Sequence, residues 1–256
     1  MNDSDIDTAA RHLRALQSTG TRGERLSAAL QPHTPLDAWR IQRRVSALRA
    51  TPVRGWKCGL PPGDRWVVAA LHEAWPSTAR VHAPAGPNGA ARIEPELGFE
   101  FVQSLPPRDA PYADEEVHAA IGAVRLAVEV LGCRFADPVA ASGPELMADS
   151  LWHHSLVLGP RIEGELPTEP AFSLSLSLPG TPTRKIAARH VDGNPRLPLY
   201  WLVEFLRQQG VGISAGDVVI TGSLAGVIEL PFGCTAQLRY GDFGSLALTL
   251  DRPERP

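Results

Sequence analysis

The segment at residues 93–101, IEPELGFEF, is the feature that most restricts what this chain can fold into. In an extended strand, successive side chains point to opposite faces, so every second residue lies on the same side. One face then carries Ile93, Pro95, Leu97, Phe99 and Phe101, and the other carries Glu94, Glu96, Gly98 and Glu100. Such a strand needs a hydrophobic core on one side, and its acidic side needs either water or a cation.

Glu94 and Glu96 are close enough in the sequence to share a cation. Their Cα atoms would lie ~6–7 Å apart on one strand face. Two carboxylates held that close raise each other's pKa unless a cation neutralises them. Oxygen ligands alone favour Mg²⁺ or Mn²⁺ over zinc. The same spacing is also typical of a solvated strand face, so the pattern by itself leaves both interpretations open.

Helices are predicted in the first 50 residues, and strands predominate after them. An apolar stripe at helical spacing runs from Ile6 to Leu16, and a second runs from Ala38 to Leu48. The second follows residues 34–37, TPLD, which have the pattern of an N-cap, a proline at the first helical position and an acid three residues after the cap.

The later elements are predicted from periodicity and turn residues. Residues 114–127 indicate a helix that runs into a strand at 126–135, and residues 197–210 indicate a helix with Gly210 just past its end. Alternating or apolar runs predict further strands at 172–178, 217–221, 234–240 and 244–250. We therefore expect an α+β fold, with a helical N-terminal portion at residues 1–80 that leads into a β-rich portion at residues 81–256.

Two charged residues and one turn stand out from their surroundings. Glu129 is the one charge between Leu126 and Gly132, and Lys57 lies in the apolar segment GWKCGL. An acid in such a run needs a partner if it is buried, and a desolvated lysine suits proton donation. The turn Thr221-Gly222-Ser223 follows a strand and can present N–H and hydroxyl groups to a carboxylate. A surface-facing acid, a lysine that reaches solvent and a simple tight turn are the structural alternatives.

Composition excludes several function classes. The net charge of −3 gives no basic surface for nucleic acid or anionic lipid, and no apolar run approaches the ~20 residues of a membrane span. The N-terminal segment MNDSDIDTAARHL does not have the pattern of a secretory signal. The three cysteines are widely separated and form no C-x-x-C pair. We expect a cytoplasmic protein whose partners are small molecules.

A resemblance to a known family rests on short motifs that occur in order over residues 35–250. They are DAWRIQ (37–42), GWKCGL (55–60), IEPELGF (93–99), AVEVLGCR (127–134), ADS (148–150), GNP (193–195), WL (201–202), AGDVVITGS (215–223) and FGSLALTL (243–250). Together they resemble the 2-keto-4-pentenoate hydratase branch of the fumarylacetoacetate hydrolase superfamily, which includes the 4-oxalocrotonate decarboxylases.

The resemblance implies a fold and a set of site residues. The fold is the mixed β-roll of that superfamily with a helical N-terminal portion, assembled as a homo-oligomer. Glu94, Glu96 and Glu129 match the family's ligands for Mg²⁺ or Mn²⁺. The family's active-site lysine is matched by Lys57, and an acid of the same region by Asp149. Thr221, Gly222 and Ser223 match the segment that lines the substrate site, whereas Glu100 matches no ligand.

The resemblance also implies a reaction class. The third ligand is Glu129 rather than the aspartate of hydrolytic relatives, and no histidine precedes Glu94 closely, which favours the hydratase or its sister decarboxylase. The implied reaction is hydration of a 2-keto-4-pentenoate-like acid through an enolate that the metal stabilises. Decarboxylation of a 4-oxalocrotonate-type acid at the same site is the alternative, since it needs the same stabilisation.

The chain departs from the family pattern at several positions around this site. Ala74 and Gly132 replace usual acids, Ser150 replaces an asparagine and Asn194 replaces a histidine. Leu151 and Trp152 stand where the family has alanine and serine, and His153 and His154 follow them. Trp152 and the two histidines can reshape the pocket; the alternative is a core tryptophan and exposed histidines. A relative that binds a keto acid without catalysis is therefore the third hypothesis, although the retained acids argue against it.

Overall fold

The computed structural model describes residues 1–20 and 22–253. Its helices are α1 (Asp3–Thr19), α2 (Pro35–Ala47), α3 (Asp114–Ala119), α4 (Gly143–Ala148) and α5 (Arg196–Gln208), with a short 3₁₀ helix at Ala28–Leu30. The first strands are β1 (Gly55–Cys58), β2 (Val68–Leu71), β3 (Ala74–Pro76), β4 (Arg80–His82), β5 (Ala91–Phe101), β6 (Ile121–Leu131) and β7 (His153–Arg161). The others are β8 (Ala171–Ser177), β9 (Arg184–Arg189), β10 (Val218–Ile220), β11 (Ile228–Leu230), β12 (Thr235–Tyr240) and β13 (Ser245–Asp251).

Two mixed sheets form the body of the molecule. The larger has eight strands in the order β2-β1-β10-β5-β6-β7-β3, with β11 paired to β5, and the smaller has five in the order β4-β13-β12-β8-β9. A buried hydrogen bond links them, since the Tyr240 hydroxyl on β12 donates to the Ala127 carbonyl on β6 at 2.7 Å. The expected α+β class with N-terminal helices is confirmed.

The N-terminal helices pack on the large sheet through an aromatic cluster. Trp39 on α2 lies 5.8 Å from Trp56 on β1 and 5.1 Å from Phe205 on α5, measured between ring centroids. Aromatic pairs at such separations contribute packing beyond their buried area. The cluster fixes β1, and with it Lys57, against the helices. The expected division near residue 80 stays a prediction, and β1 to β3, which precede that position, belong to the large sheet.

The predicted helix at residues 114–127 is wrong beyond its first turns. The helix ends at Ala119, and β6 begins at Ile121 and continues to Leu131, before the predicted strand end at residue 135. The physical reason is pairing: β6 lies antiparallel to β5 from Phe101↔Ile121 to Arg92↔Leu131, so β5 requires a partner of its own length. The helical spacing of residues 114–127 could not reveal that partner.

Other local predictions are confirmed. Thr34 caps α2, with its side chain accepting from the Asp37 N–H, and Pro35 opens the helix. Gly210 follows α5 with φ of 66°, a left-handed conformation in which glycine is favoured. The predicted strands at 172–178, 217–221, 234–240 and 244–250 correspond to β8, β10, β12 and β13.

Candidate metal centre

Strand register brings the predicted acids together in the middle of the large sheet. Glu94 on β5 lies directly opposite Glu129 on β6, and Glu96 lies two residues further along β5 on the same face. Carboxylate oxygens of all three residues lie within 4.8 Å of one another. The pairing of β5 with β6 therefore places a third acid, Glu129, beside the first two. The spacing of residues along β5 could not predict this.

The acidic face of β5 is covered rather than solvated. Ala127 lies opposite Glu96, and Leu156 on β7 lies opposite Glu129. Both apolar residues belong to a small buried cluster with Leu71, Val218 and Ile220. As a result, Glu96 is 2% exposed and Glu129 is fully buried, while Glu94 is partly exposed. The simple solvated-face interpretation of this strand is wrong for Glu96.

Lys57 contacts the acids from β1, which lies two strands away from β5 in the large sheet. Its strand, β1, pairs with β10, which in turn pairs with β5. The Lys57 ammonium donates to Glu129 Oε2 at 2.8 Å and to the Leu151 carbonyl at 3.0 Å. Its side chain is 12% exposed, so the predicted alternative of a lysine that reaches solvent does not hold.

His153 completes the environment of Glu129. Its Nδ1 lies 2.8 Å from Glu129 Oε1, so the two oxygens of this carboxylate have different partners. Glu129 accepts hydrogen bonds only, which means that His153 carries its proton on Nδ1. Each carboxylate oxygen has two lone pairs, so these contacts leave acceptor capacity on Glu129 for a cation. Sequence reasoning left His153 undecided between the pocket and the exposed surface. The β6–β7 register, in which His153 lies opposite Leu131, and its burial show that it is not exposed.

The turn after β10 contributes a backbone donor. The Gly222 N–H donates to Glu96 Oε2 at 2.8 Å. Gly222 has φ of 125°, and a Cβ atom there would lie 2.9 Å from Val191 Cγ1, so only glycine fits without displacement. Thr221 is buried, with its hydroxyl 3.3 Å from His190 Nε2, and Ser223 lines the cavity beside the acids.

The acids differ in their ionisation. Burial and the nearby Glu129 raise the pKa of Glu96 well above its ordinary value, although Lys57 and the Gly222 N–H oppose this. Burial also raises the pKa of Glu94. Burial likewise acts against ionisation of Glu129, but Lys57 and His153 outweigh it and lower the pKa of that carboxyl. Burial disfavours the Lys57 ammonium as well, yet Glu129 and Glu96 raise its pKa above the ordinary value.

The donor set fits a divalent cation. Three carboxylates face one ammonium, which leaves an excess of two negative charges in a largely buried place. Burial, together with the repulsion of Glu129, raises the pKa of both Glu94 and Glu96. A divalent cation would neutralise the excess negative charge, and an oxygen-only donor set suits Mg²⁺ or Mn²⁺.

A cavity of about 740 Å³ opens in front of Lys57, Glu94 and Glu96. Its lining also includes Gly222, Ser223, Arg189 and Asp192. Asp192 is fixed there by the Leu60 N–H, which donates to its Oδ2 at 3.2 Å. Sequence reasoning did not single out Arg189 or Asp192, because nothing in their local pattern distinguishes them from ordinary loop and strand residues.

Asp149, predicted as a catalytic residue, lies away from this cavity. Its carboxylate is buried, accepts from the Arg134 N–H at 3.0 Å and pairs with the Arg134 guanidinium at 3.0 Å. It ends α4 and precedes Ser150, Leu151 and Trp152, which have φ of 65°, 50° and 67°. Non-glycine residues rarely adopt such values. Asp149 therefore holds the strained turn whose Leu151 carbonyl reaches Lys57.

The other residues that stood out against the family pattern lie outside the cluster of three acids. Glu100 pairs with Arg125 at 2.7 Å. Trp152 lies under the Arg92 guanidinium, 5.4 Å from its ring centroid. A Cβ atom at Gly132 would lie 2.5 Å from Pro84 Cγ, and Asn194 accepts the Arg196 N–H near the start of α5. Ala74 is exposed on β3.

The sequence is similar to that of a known enzyme over part of its length. A 4-oxalocrotonate decarboxylase from Pseudomonas sp is 24% identical over 158 residues, which are 62% of this chain and 60% of that protein. The chain thus matches less than two thirds of that relative's length. No family model matches the chain.

Solved structures extend the likeness to the whole fold. The 4-oxalocrotonate decarboxylase from Pseudomonas putida G7, complexed with magnesium and adipate, has a TM-score of 0.75 at 18% identity and covers 98% of both chains. The 2-hydroxyhepta-2,4-diene-1,7-dioate isomerase from Mycobacterium marinum has a TM-score of 0.55 at 16% identity, over 80% of this chain and 78% of that one. The chain has the fold of the fumarylacetoacetate hydrolase superfamily, and its resemblance to the hydratase and decarboxylase branch is confirmed.

Proposed function

We propose that this protein is a metal-dependent lyase that acts on a 2-keto or 2-hydroxydienoic acid. The observation that carries the proposal is the convergence of Glu94, Glu96 and Glu129 beside the buried Lys57 at one cavity. The 4-oxalocrotonate decarboxylase from Pseudomonas putida G7, which has a similar fold, was solved in complex with magnesium and adipate and again with calcium and acetate. These complexes support a divalent cation and a carboxylic acid ligand here.

The three carboxylates would hold Mg²⁺ or Mn²⁺ where Glu94 and Glu96 line the cavity. A bound divalent cation would supply Lewis-acid stabilisation of negative charge that develops on the 2-oxygen of the substrate. Glu129 is kept ionised by Lys57 and His153, so it is ready to bind a cation at neutral pH. The Gly222 N–H orients Glu96.

Lys57 is the group placed to move a proton. Its ammonium lies at the cavity wall next to the acids, and its raised pKa keeps it protonated at neutral pH. It can therefore pair with the developing enolate and donate a proton to carbon. Glu129 and the Leu151 carbonyl occupy two of its three N–H directions, which fixes the third.

Decarboxylation of a 4-oxalocrotonate-type acid is supported by one cavity residue. That class of substrate has a second carboxylate. Arg189 lines the cavity, and its guanidinium, which donates to Glu169 at 3.2 Å, keeps further N–H groups that suit such a carboxylate. In this reaction the bond to the departing carboxylate breaks, its electron pair enters the enolate, CO₂ leaves and carbon takes up a proton. Asp192 also lines the cavity, and its negative charge would repel a second carboxylate. The charges of the lining are therefore also compatible with a substrate that has one carboxylate.

Hydration of a 2-keto-4-pentenoate-like acid, the reaction favoured from the sequence, is the second candidate. It uses the same enolate, followed by addition of water at the distal carbon. Asp192 beside the cavity supports it, because an acid there can accept a proton from water.

Product analysis tests the two candidates. The Mg²⁺-loaded protein is incubated with a 4-oxalocrotonate-type acid and, separately, with 2-hydroxypenta-2,4-dienoate, and CO₂ and hydroxylated keto acid are measured. Release of CO₂ assigns decarboxylation, and formation of the hydroxylated keto acid assigns hydration.

A matched pair of variants tests the lyase proposal itself. Lys57→Met should reduce kcat by at least about 100-fold, the usual contribution of a general acid. Lys185→Met, a substitution of an exposed lysine on β9, should not change it. Turnover of neither substrate by the wild type with Mg²⁺ or Mn²⁺, or full activity of Lys57→Met, would show that the proposal is wrong.

A further inference from the structure

A second cavity, of about 450 Å³, lies apart from the metal centre and is lined by basic side chains. We call it the arginine cavity and define it by Arg22, Arg49, Arg134, His82, His154 and Glu73. It shares no lining residue with the cavity that contains Lys57, Glu94 and Glu96. The proposed lyase mechanism uses none of its side chains.

Three separate segments bring the arginines to this place. Arg22 follows α1, Arg49 follows α2 and Arg134 follows β6. The Gly23 N–H donates to the Arg134 carbonyl at 2.9 Å, and the Ala136 N–H donates to the Gly23 carbonyl at 2.8 Å. These two bonds hold the chain at Arg22 beside the chain at Arg134, so the proximity of the two arginines is built into the backbone.

Arg49, which follows α2, is largely buried. Its side chain is 17% exposed and donates to Gln17 Oε1 at 2.9 Å. Its ion pair with Glu73 is long, at 3.9 Å. Burial lowers the pKa of Arg49, and the neighbouring Arg14 and Arg134 act in the same direction. A buried guanidinium among other cations, with one distant carboxylate, is a costly arrangement unless an anion joins it.

The charge of the cavity is positive even after its acids are counted. Among the described residues, Glu73 is the one carboxylate in the lining, while Asp149 pairs with Arg134 from behind. Burial and the repulsion of Arg134 lower the pKa of His154, which stays neutral. A neutral imidazole can still donate one hydrogen bond. The lining thus offers guanidinium N–H groups and the imidazole of His154, and such donors recognise a carboxylate or phosphate group.

We propose that the arginine cavity is a binding site for a small oxyanion, a molecule that carries a carboxylate or phosphate group, distinct from the metal centre. Its volume exceeds that of a bare oxyanion and falls within the ~300–1,000 Å³ of small-molecule sites. Arg22 and Arg49 supply the main contacts. The Arg22 guanidinium donates to the Ala85 carbonyl at 2.6 Å and keeps further N–H groups, whereas Arg134 pairs with Asp149 and also donates to two backbone carbonyls.

Calorimetric titration of metal-free protein tests this site. The protein is treated with a chelator and desalted, and it is then titrated with inorganic phosphate and, separately, with succinate at constant chloride concentration. Saturable binding of one equivalent is expected, and the tighter of the two probes identifies the oxyanion group. Arg22→Gln and Arg49→Gln should each weaken binding by about tenfold or more, as the loss of a charged hydrogen bond predicts.

Two control variants locate the binding. Arg43→Gln removes another half-buried arginine of the same helical region, which stacks on Trp39 outside the cavity, and should leave binding unchanged. Glu96→Gln alters the metal centre and should also leave it unchanged. Arg22 is an exposed loop residue, so its variant is expected to fold even if Arg49→Gln does not.

Three results would overturn the proposal. They are the absence of saturable binding of either probe by the wild type, equal binding by the Arg22→Gln variant, and an equal loss in Arg43→Gln, which would indicate a general charge effect. None of them bears on the lyase proposal, because the metal-free protein is used throughout.

Discussion

Glu129 shows how much the role of a residue depends on its neighbours. It is fully buried, yet its two oxygens meet Lys57 and His153, and both contacts favour the ionised carboxylate. Glu96 lies beside it with one backbone N–H as its hydrogen-bond donor, and its pKa moves in the opposite direction. The two glutamates are therefore inequivalent, because their surroundings lower the pKa of Glu129 and raise the pKa of Glu96.

The ligand assignment predicts a loss of metal affinity in one of two matched variants. Glu96→Gln should weaken Mg²⁺ binding by at least about tenfold, because it removes one charged ligand from the buried cluster. Glu100→Gln changes an acid on the same strand that pairs with Arg125, and it should leave Mg²⁺ binding unchanged. Calorimetric titration with Mg²⁺ measures both, and equal affinity of Glu96→Gln and wild type would remove Glu96 from the site.

The opposite pKa shifts predict opposite effects on the stability of the metal-free protein. A folded-state pKa raised above the ordinary 4.5 means that the stability due to Glu96 is present below that value and is lost as the pH rises. Glu96→Gln should therefore raise the melting temperature at pH 7 by a few degrees, since about 1 kcal/mol corresponds to about 2–4 °C at this chain length. The increase in melting temperature should disappear near pH 4.

Glu129 provides the contrast for that measurement. Its folded-state pKa is lowered, so its stabilisation is present above about the ordinary 4.5 and is lost as the pH falls. Glu129→Gln should lower the melting temperature at pH 7 and have less effect in acid. Thermal melts of the chelator-treated, desalted proteins from pH 4 to 8 measure both variants, and a shift of the same sign in both at pH 7 would contradict the charge assignment.

At the scale of elements, four strands and two turns build the candidate centre. The β5–β6 pair sets the three carboxylates, and the neighbouring β10 and β1 place Lys57. The turn after β10 supplies the Gly222 N–H, and the turn after α4 supplies the Leu151 carbonyl. The second turn contains three successive non-glycine residues in left-handed conformation, which is backbone strain of the kind found at functional sites.

The turn after β10 can be tested with two glycines that it contains. Gly222→Ala should destabilise the fold by about 1–3 kcal/mol and weaken Mg²⁺ binding, because the new methyl group meets Val191 and moves the N–H away from Glu96. Gly226→Ala has open space around its Cβ and should cost about 1 kcal/mol for its φ of 65° alone. Denaturant unfolding and Mg²⁺ titration separate the two, and unchanged Mg²⁺ affinity in Gly222→Ala would show that the N–H is dispensable.

At the scale of the whole molecule, the candidate metal centre lies in the large sheet, and helices pack against the strand that carries Lys57. The aromatic cluster of Trp39, Trp56 and Phe205 connects α2 and α5 to the strand of Lys57. Within the described residues, no helix is long and apolar enough to cross a bilayer. The homo-oligomer implied by the family resemblance remains a proposal for measurement by light scattering.

Divalent cation should stabilise the entire fold. A ligand at 100 times its Kd adds about 2.7 kcal/mol, which corresponds to roughly 5–10 °C at about 2–4 °C per kcal/mol. Scanning calorimetry at one protein concentration, with MgCl₂ and with NaCl of equal ionic strength, measures the effect. A rise that NaCl reproduces would indicate general screening rather than a site.

Local pattern by itself determined the features that depend on neighbours in the chain. The alternation of residues 93–101, the cap at Thr34 and the glycine after α5 were readable because side-chain direction and helix ends follow from short-range geometry. The motif order then brought Glu94, Glu96, Glu129 and Lys57 into one hypothesis, and the structure places these four side chains together.

Tertiary structure alone decided the features that depend on pairing and burial. The strand that begins at Ile121, the contact between His153 and Glu129, and the place of Asp149 on Arg134 all follow from partners distant in sequence. The arginine cavity joins three segments that share no pattern. Register between strands and the cost of burying charge are properties of the assembled sheet, so no window along the chain contains them.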